Sequence, residues 1–285
     1  NIIFKIINFS ELRVYSSHKE LLKSLGNNKS IGLVPTMGSL HKGHLSLIQR
    51  AVRENKEVII SIYVNPTQFN DKEDLKKYPR NLDNDLKLLK DINNVLVYTP
   101  SDSDLYGQDE KSKKYNFGDF MNIMEGKQRP DHFDGVATIV EKLFKIFTPN
   151  NAYFGEKDFQ QLILIKSLAK KLNLNLNVVG CKTIREEDGL AMSSRNKLLS
   201  KKERESAGEI IKLLLRAKEM YPEFEFYQIR KEIENRSKSI NNFKLEYFEI
   251  MNLAEFSNIS KKNHETRAFI ACKIGKIRLI DNIKL

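Results

Sequence analysis

Over residues 15–180, short apolar runs alternate with longer stretches in which apolar side chains recur every three or four positions. SIGLVPT (30–36), EVIISIYV (57–64), NVLVYTP (94–100), NAYF (151–154) and NLNVVG (175–180) have strand length. Several are β-branched and apolar throughout, as strands covered on both faces are. Between them, HLSLIQRAVRE (44–54) sets Leu45, Ile48, Ala51 and Val52 on one helical face. GVATIVEKLFKIF (135–147) and DFQQLILIKSLAKKL (158–172) keep the same period. This alternation predicts a doubly wound α/β domain. Beyond about residue 184 the texture changes. KKERESAGEIIKLLLRAKEMY (201–221) and FEFYQIRKEIENRSKSI (224–240) read as amphipathic helices. KLEYFEIMN (244–252), TRAFIACKIG (266–275) and KIRLIDNI (276–283) read as strands of a small antiparallel sheet, the last two joined by a tight turn at Gly275-Lys276. Two domains are therefore expected, 1–183 and a smaller α+β unit, 184–285.

Composition narrows the class. A chain of 285 residues, 40% hydrophobic and 30% charged, is globular and long enough for two modest cores. Its longest apolar runs are too short to span a bilayer. The opening NIIFKIINFS lacks the basic, apolar and small-residue succession of a secretory signal, and Asn1 suggests that an initiator Met was removed or is not included in the sequence. Cys181 and Cys272 form no CxxC, so a reduced, cytoplasmic protein with two packing thiols is expected. The net charge of +11 invites a nucleic-acid reading. The basic residues are scattered, however, with no stripe of interleaved aromatics, so no nucleic acid is expected, only a general pull on small anions.

The chemistry concentrates in VPTMGSLHKGHLSLIQRA (34–51), where a strand passes through glycines into a helix. The chain has no G-x-G-x-x-G. Gly38 to His44 begins like a P-loop but puts His44 and Leu45 where Lys and Ser or Thr are required. The physical setting still suits an anion: free backbone N–H groups and a helix N-terminus converge there. His41 and His44 could add two imidazole donors. Two surface histidines, or a metal site, remain as alternatives on spacing alone, although HExxH is absent.

PTMGSLHKGH, SIYVNPTQF, YPR, RPDHFDGVATIV, FGEKDFQQL, REEDGLAMSSRN and the closing RLIDNI, in this order over nearly the whole chain, resemble the pantoate–β-alanine ligase family. HKGH resembles the HIGH signature of the wider nucleotidylyltransferase superfamily. The resemblance implies a Rossmann-like doubly wound parallel sheet for 1–183, with 184–285 closing over the site. It implies ATP-dependent joining of pantoate to β-alanine through a pantoyl-adenylate, with release of pyrophosphate and then AMP.

Carried over residue by residue, the resemblance makes His41, His44, Lys157 and Arg195 the catalytic groups. It gives ATP the further company of Pro35, Met37, Gly155, Asp158, Met192, Ser193 and Ser194, and gives pantoate Thr36, Met37, Asn65, Gln68, Arg129 and Gln161. Mg²⁺ accompanies ATP, with Asp85 as its candidate ligand. A homodimer is implied, with small-molecule substrates and no membrane. The family usually has Gly where Asp131 stands, so Asp131 is expected either to face solvent or to pair with Arg129. No general base is evident for the amine step; positioning and charge stabilisation are expected to suffice.

Overall fold

Alternating side chains of six parallel strands feed two separate cores. A computed structural model describes residues 12–26, 30–106, 112–252, 257–258 and 265–285; the opening segment read for a leader, 1–11, lies outside them. The strands are β1 (Arg13–Tyr15), β2 (Ile31–Thr36), β3 (Glu57–Ile62), β4 (Val95–Tyr98), β5 (Asn151–Gly155) and β6 (Asn177–Cys181), in the order β1-β4-β3-β2-β5-β6. Leu33, Ile59, Leu96, Ala152 and Val178 join the helices His132–Phe147 and Phe159–Lys171 on one face. Val34, Ile60, Val97, Tyr153 and Val179 meet Leu47, Ile48 and Ala51 of the helix Lys42–Glu54 on the other. Both faces are buried, so the strands show no polar alternation. Each fully buried aliphatic side chain stabilises by about 1.5–3 kcal/mol. The doubly wound expectation holds. Its miss is β1, a three-residue edge strand whose Arg13 and Val14 are exposed.

A second, antiparallel sheet holds β7 (Phe243–Asn252), β8 (Ser257–Asn258), β9 (Thr266–Ile274) and β10 (Ile277–Lys284), in the order β10-β9-β7-β8. Ile274 pairs with Ile277 across the expected turn, and Gly275 has the positive φ (56°) that a two-residue hairpin requires. Leu214, Ile229, Ile233, Phe248, Ile270 and Cys272 form its core. The stretch read as one helix from residue 201 is two, Lys201–Ala207 and Glu209–Met220, divided at Gly208, a poor helix former. Cys181 and Cys272 are both buried free thiols. Among the described residues no helix is long and apolar enough to cross a membrane.

The first sheet reverses its winding between β2 and β5. There the ladder is short: Gly32 pairs with Asn151 and Leu33 with Ala152. On the outer sides, by contrast, β2 pairs with β3 as far as Thr36–Ile62, and β5 with β6 as far as Gly155–Cys181. Backbone groups of a parallel strand point to alternate neighbours. The Ile31 carbonyl accepts from Asn150 N on the β5 side, and the Thr36 carbonyl from Tyr63 N on the β3 side. Pro35 therefore falls on the β5 side, where its missing N–H leaves no donor unpaired as the strands part. A crevice opens at the carboxyl ends, the place where open α/β sheets bind ligands.

Candidate active site

The crevice widens into a cleft of about 250 Å³, lined by loops from β2, β3, β5 and β6 and by the buried helix His132–Phe147. The corner after β2 is bent by two successive left-handed residues, Gly38 (φ 76°) and Ser39 (φ 50°). Thr36 Oγ1 accepts from Gly38 N at 3.2 Å and donates to the Ser61 carbonyl at 2.8 Å. The carboxylate of Asp85, from the helix Leu82–Leu89, accepts Ser39 N at 2.8 Å and Leu40 N at 2.7 Å. Strained backbone is thus held by buried charge-assisted bonds.

His41 caps the helix Lys42–Glu54. Its Nδ1 accepts from Gly43 N at 3.1 Å, while His44 Nδ1 accepts from His41 N at 3.3 Å. A side chain at Gly43 would strike the His41 ring within 2.8 Å, so only glycine allows this packing. With each Nδ1 accepting, each imidazole proton belongs on Nε2. Burial, first, and then nearby positive charge from Lys157 and Lys197 push His41 down to about 4. Burial again leads for His44, followed by His41, Lys157 and Lys197, pushing it to about 3. At neutral pH both rings, with centroids 4.1 Å apart, are uncharged donors. They satisfy the backbone with one nitrogen and leave the other without a partner among the described residues.

Lys157 stands in the 3₁₀ turn Glu156–Asp158 directly after β5, its Nζ 3.6 Å from Asp158 Oδ1. Met192, Ser193, Ser194 and Arg195 reach the cleft from the segment beyond β6. Ser194 Oγ donates to the Ser39 carbonyl at 3.0 Å, tying this segment to the glycine corner. Arg195 is held by Asp74 at 2.9 Å and lies over the Tyr78 ring.

The opposite wall is a saturated polar network. Asn65 is 1% exposed. Its Nδ2 donates to Gln68 Oε1 and the Gly135 carbonyl, both at 3.2 Å; its Oδ1 accepts from Tyr106 and Thr67 hydroxyls at 2.8 and 3.1 Å. Gln68 Nε2 donates to Met37 Sδ. Arg129 Nη1 donates to His132 Nε2 at 3.1 Å, so the His132 proton sits on Nδ1 and goes to the Gln68 carbonyl at 2.8 Å. Burial, and then Arg129, push His132 to about 3. Gln161 also lines the cleft, and its side chain has no hydrogen-bond partner among the described residues.

Pro35, Thr36, Met37, His41, His44, Asn65, Gln68, Arg129, Gly155, Lys157, Asp158, Gln161, Met192, Ser193, Ser194 and Arg195 thus converge on one cleft. Asp85 does not line it; both its oxygens are engaged by the corner backbone, and this geometry makes it a loop anchor rather than an open metal ligand. Among the described residues no group of three His, Cys, Asp or Glu could hold a metal ion. Asp131 pairs with Lys114 and not with Arg129, and it adopts φ 65°, the region glycine occupies without strain. Tyr78, Lys182, Thr183, Ile184 and the apolar Val136, Val140 and Leu143 were not foreseen as lining. Lys197, which does not line the cleft but stands behind the corner with its Nζ 3.4 Å from Ser39 Oγ, was also not foreseen. Its place two residues beyond Arg195 was the one available signal.

A family model described as pantoate-beta-alanine ligase matches residues 9–284. The chain is 46% identical to a pantothenate synthetase of Flavobacterium psychrophilum over 264 residues, 92% of this chain and 94% of that one. It is 43% identical to that of Christiangramia forsetii, covering 96% and 99%. Among solved structures it matches the Thermus thermophilus pantothenate synthetase with a TM-score of 0.91 at 37% identity, covering 96% of this chain and 99% of that one. It also matches a pantoate-beta-alanine ligase of Francisella tularensis, complexed with beta-gamma ATP and β-alanine, with a TM-score of 0.81 at 38% identity, covering 96% and 98%.

Proposed function

This chain belongs to the pantoate–β-alanine ligase family, and on that premise we propose how its cleft works. It is an ATP-dependent enzyme that ligates pantoate to β-alanine. In our reading the pantoate carboxylate attacks the α-phosphate of ATP, forming pantoyl-adenylate and expelling pyrophosphate. The β-alanine amine then attacks the acyl carbon and expels AMP. The first step gathers anions and builds charge on phosphate oxygens, so donors fixed in advance are what it needs.

The observation that supports this most is the pair of neutral imidazoles, each with its Nε2–H unused, facing a lysine across the parted ends of β2 and β5. His41 and His44 donate to the developing charge, and Lys157 follows it as pyrophosphate separates. Pro35, Met37, Gly155, Asp158 and Met192–Arg195 surround the nucleotide. Arg195 reaches the phosphates by leaving Asp74, a partly exposed partner worth little in water. Gln68 and Gln161 take pantoate, with Thr36, Met37 and Arg129 beside them. Asn65 serves pantoate by fixing Gln68, its own amide being fully engaged. Mg²⁺ would arrive with ATP and spread phosphate charge; Asp158 is the one carboxylate among the described lining residues able to face it. We place the domain boundary near residue 183, with 184–285 closing over the site, in a cytoplasmic homodimer.

The test is pantoate-dependent exchange of labelled pyrophosphate into ATP without β-alanine. Exchange is expected, followed by AMP and pantothenate when β-alanine is added. Folded protein with Mg²⁺ and no exchange would remove the adenylate route.

A further inference from the structure

RLIDN (278–282) lies on β10, in the C-terminal sheet, yet its three polar side chains each reach a different segment of the cleft. Arg278 donates to both oxygens of Glu125 at 2.8 and 2.7 Å, and Glu125 lies 3.9 Å from Arg129. Asp281 receives both terminal nitrogens of Arg185, at 2.6 and 3.1 Å, at the base of the segment leading to Met192. Asn282, 3% exposed, donates from Nδ2 to the carbonyls of Glu156 and Lys157, each at 2.9 Å. Its Oδ1 accepts from Arg267 Nε at 3.0 Å. Leu279, buried in the C-terminal core, fixes the strand to its own domain.

We propose that Asn282 is a positioning residue for Lys157: it holds the Glu156–Asp158 turn so that the ammonium stands at the phosphate site. The turn needs such a support. The β5–β6 ladder ends at Gly155–Cys181, so no strand neighbour fixes the backbone beyond it. A primary amide can donate to two carbonyls and still accept from a guanidinium. A carboxylate of the same shape keeps the bond it accepts from the guanidinium and loses the two donated to carbonyls. The C-terminal strand thereby supplies part of the cleft's order without touching a substrate. Small displacements matter here, since a shift of about 1 Å in a reacting group can lower a rate about 10²-fold.

The inference rests on the reading of Lys157 as a phosphate ligand, and the test separates the two. In pantoate-dependent pyrophosphate exchange, Asn282→Asp should lower kcat about 10- to 10²-fold. Pantoate KM should stay within about 2-fold, while the thermal midpoint falls because the Glu156 and Lys157 carbonyls lose a buried donor. In a Lys157→Ala background the same substitution should add less than about 2-fold, the non-additivity of groups acting as one unit. Wild-type exchange by Asn282→Asp would overturn the proposal. So would an equal loss in both backgrounds, which marks a merely structural role. Wild-type exchange by Lys157→Ala would remove the role of Lys157 and this proposal with it, while exchange by the unaltered enzyme would leave the ligase reading standing. If Asn282→Asp does not fold, Asn282→Ala carries the same cycle.

Discussion

Two walls of the cleft bury histidine and use it in opposite ways. At the corner after β2, His41 and His44 each commit one nitrogen to the backbone and keep an Nε2–H free. At the wall formed by residues 65–68 and 129–135, His132 commits both nitrogens, one to Arg129 and one to the Gln68 carbonyl. Burial depresses all three imidazoles to similar values. A depressed pKa therefore does not distinguish a reacting histidine from a structural one. The count of uncommitted nitrogens does. The same contrast separates Gln161, without a partner among the described residues, from Asn65, whose amide is saturated.

Truncating one side chain from each style of site tests the contrast most strongly. His44→Ala should lower kcat for pyrophosphate exchange about 10²–10³-fold with little change in thermal midpoint, as loss of a preorganised donor does. Near-normal turnover would end its claim to the phosphate. Asn65→Ala should instead show mainly in stability, by about 2–3 kcal/mol in urea unfolding, because Tyr106, Gly135 and Gln68 lose buried partners. Its pantoate KM should rise about 10-fold as Gln68 loosens, in keeping with an indirect contact. Full stability in that variant would break the comparison.

Acid titration sharpens it further. The three imidazoles have folded values below the unfolded 6.5, so between about pH 6.5 and 4 the unfolded chain binds more protons. Stability must then fall as pH falls, by at most about 1.4 kcal/mol per pH unit for each imidazole. Thermal midpoints measured from pH 7 to 4.5 should decline and flatten in a His132→Gln variant; a flat wild-type profile would contradict the neutral assignment. The smallest effect belongs to Asp131→Gly, which relieves a left-handed residue but loses the exposed pairing with Lys114. These oppose each other, and stability should move by no more than about 1 kcal/mol with turnover unchanged. A large change in turnover would tie this loop to the chemistry.

Much of this was legible in residue order. Apolar strands such as Val58–Ile60 and helices such as 135–147 declare themselves because burial on every side leaves no room for polar residues. The motifs declare the cleft because ligand groups sit in loops just past strand ends. Distance was what the order of residues withheld. Asp85 in YPRNLDND looks like a metal ligand, and only the fold shows Ser39 N and Leu40 N already bound to it. Asn65 looks like a substrate contact until Tyr106 and Gly135 close around it. Asn282, over 120 residues from Lys157 in the chain, gives no local sign of the turn it supports. β1 was too short and too exposed to carry a pattern.

Pro35 has a mechanical consequence. A sheet is a zip, and between β2 and β5 it stops after two teeth. Any other residue at that point would bring an N–H in need of a partner, met by water or by pulling the strands shut. With a tertiary amide there, the mouth stays parted at no hydrogen-bond loss. On the proposed reading, a nucleotide entering between the strands would break no ladder on the way in and leave none to be remade on the way out. The aperture is built into the main chain, and turnover does not have to reopen it.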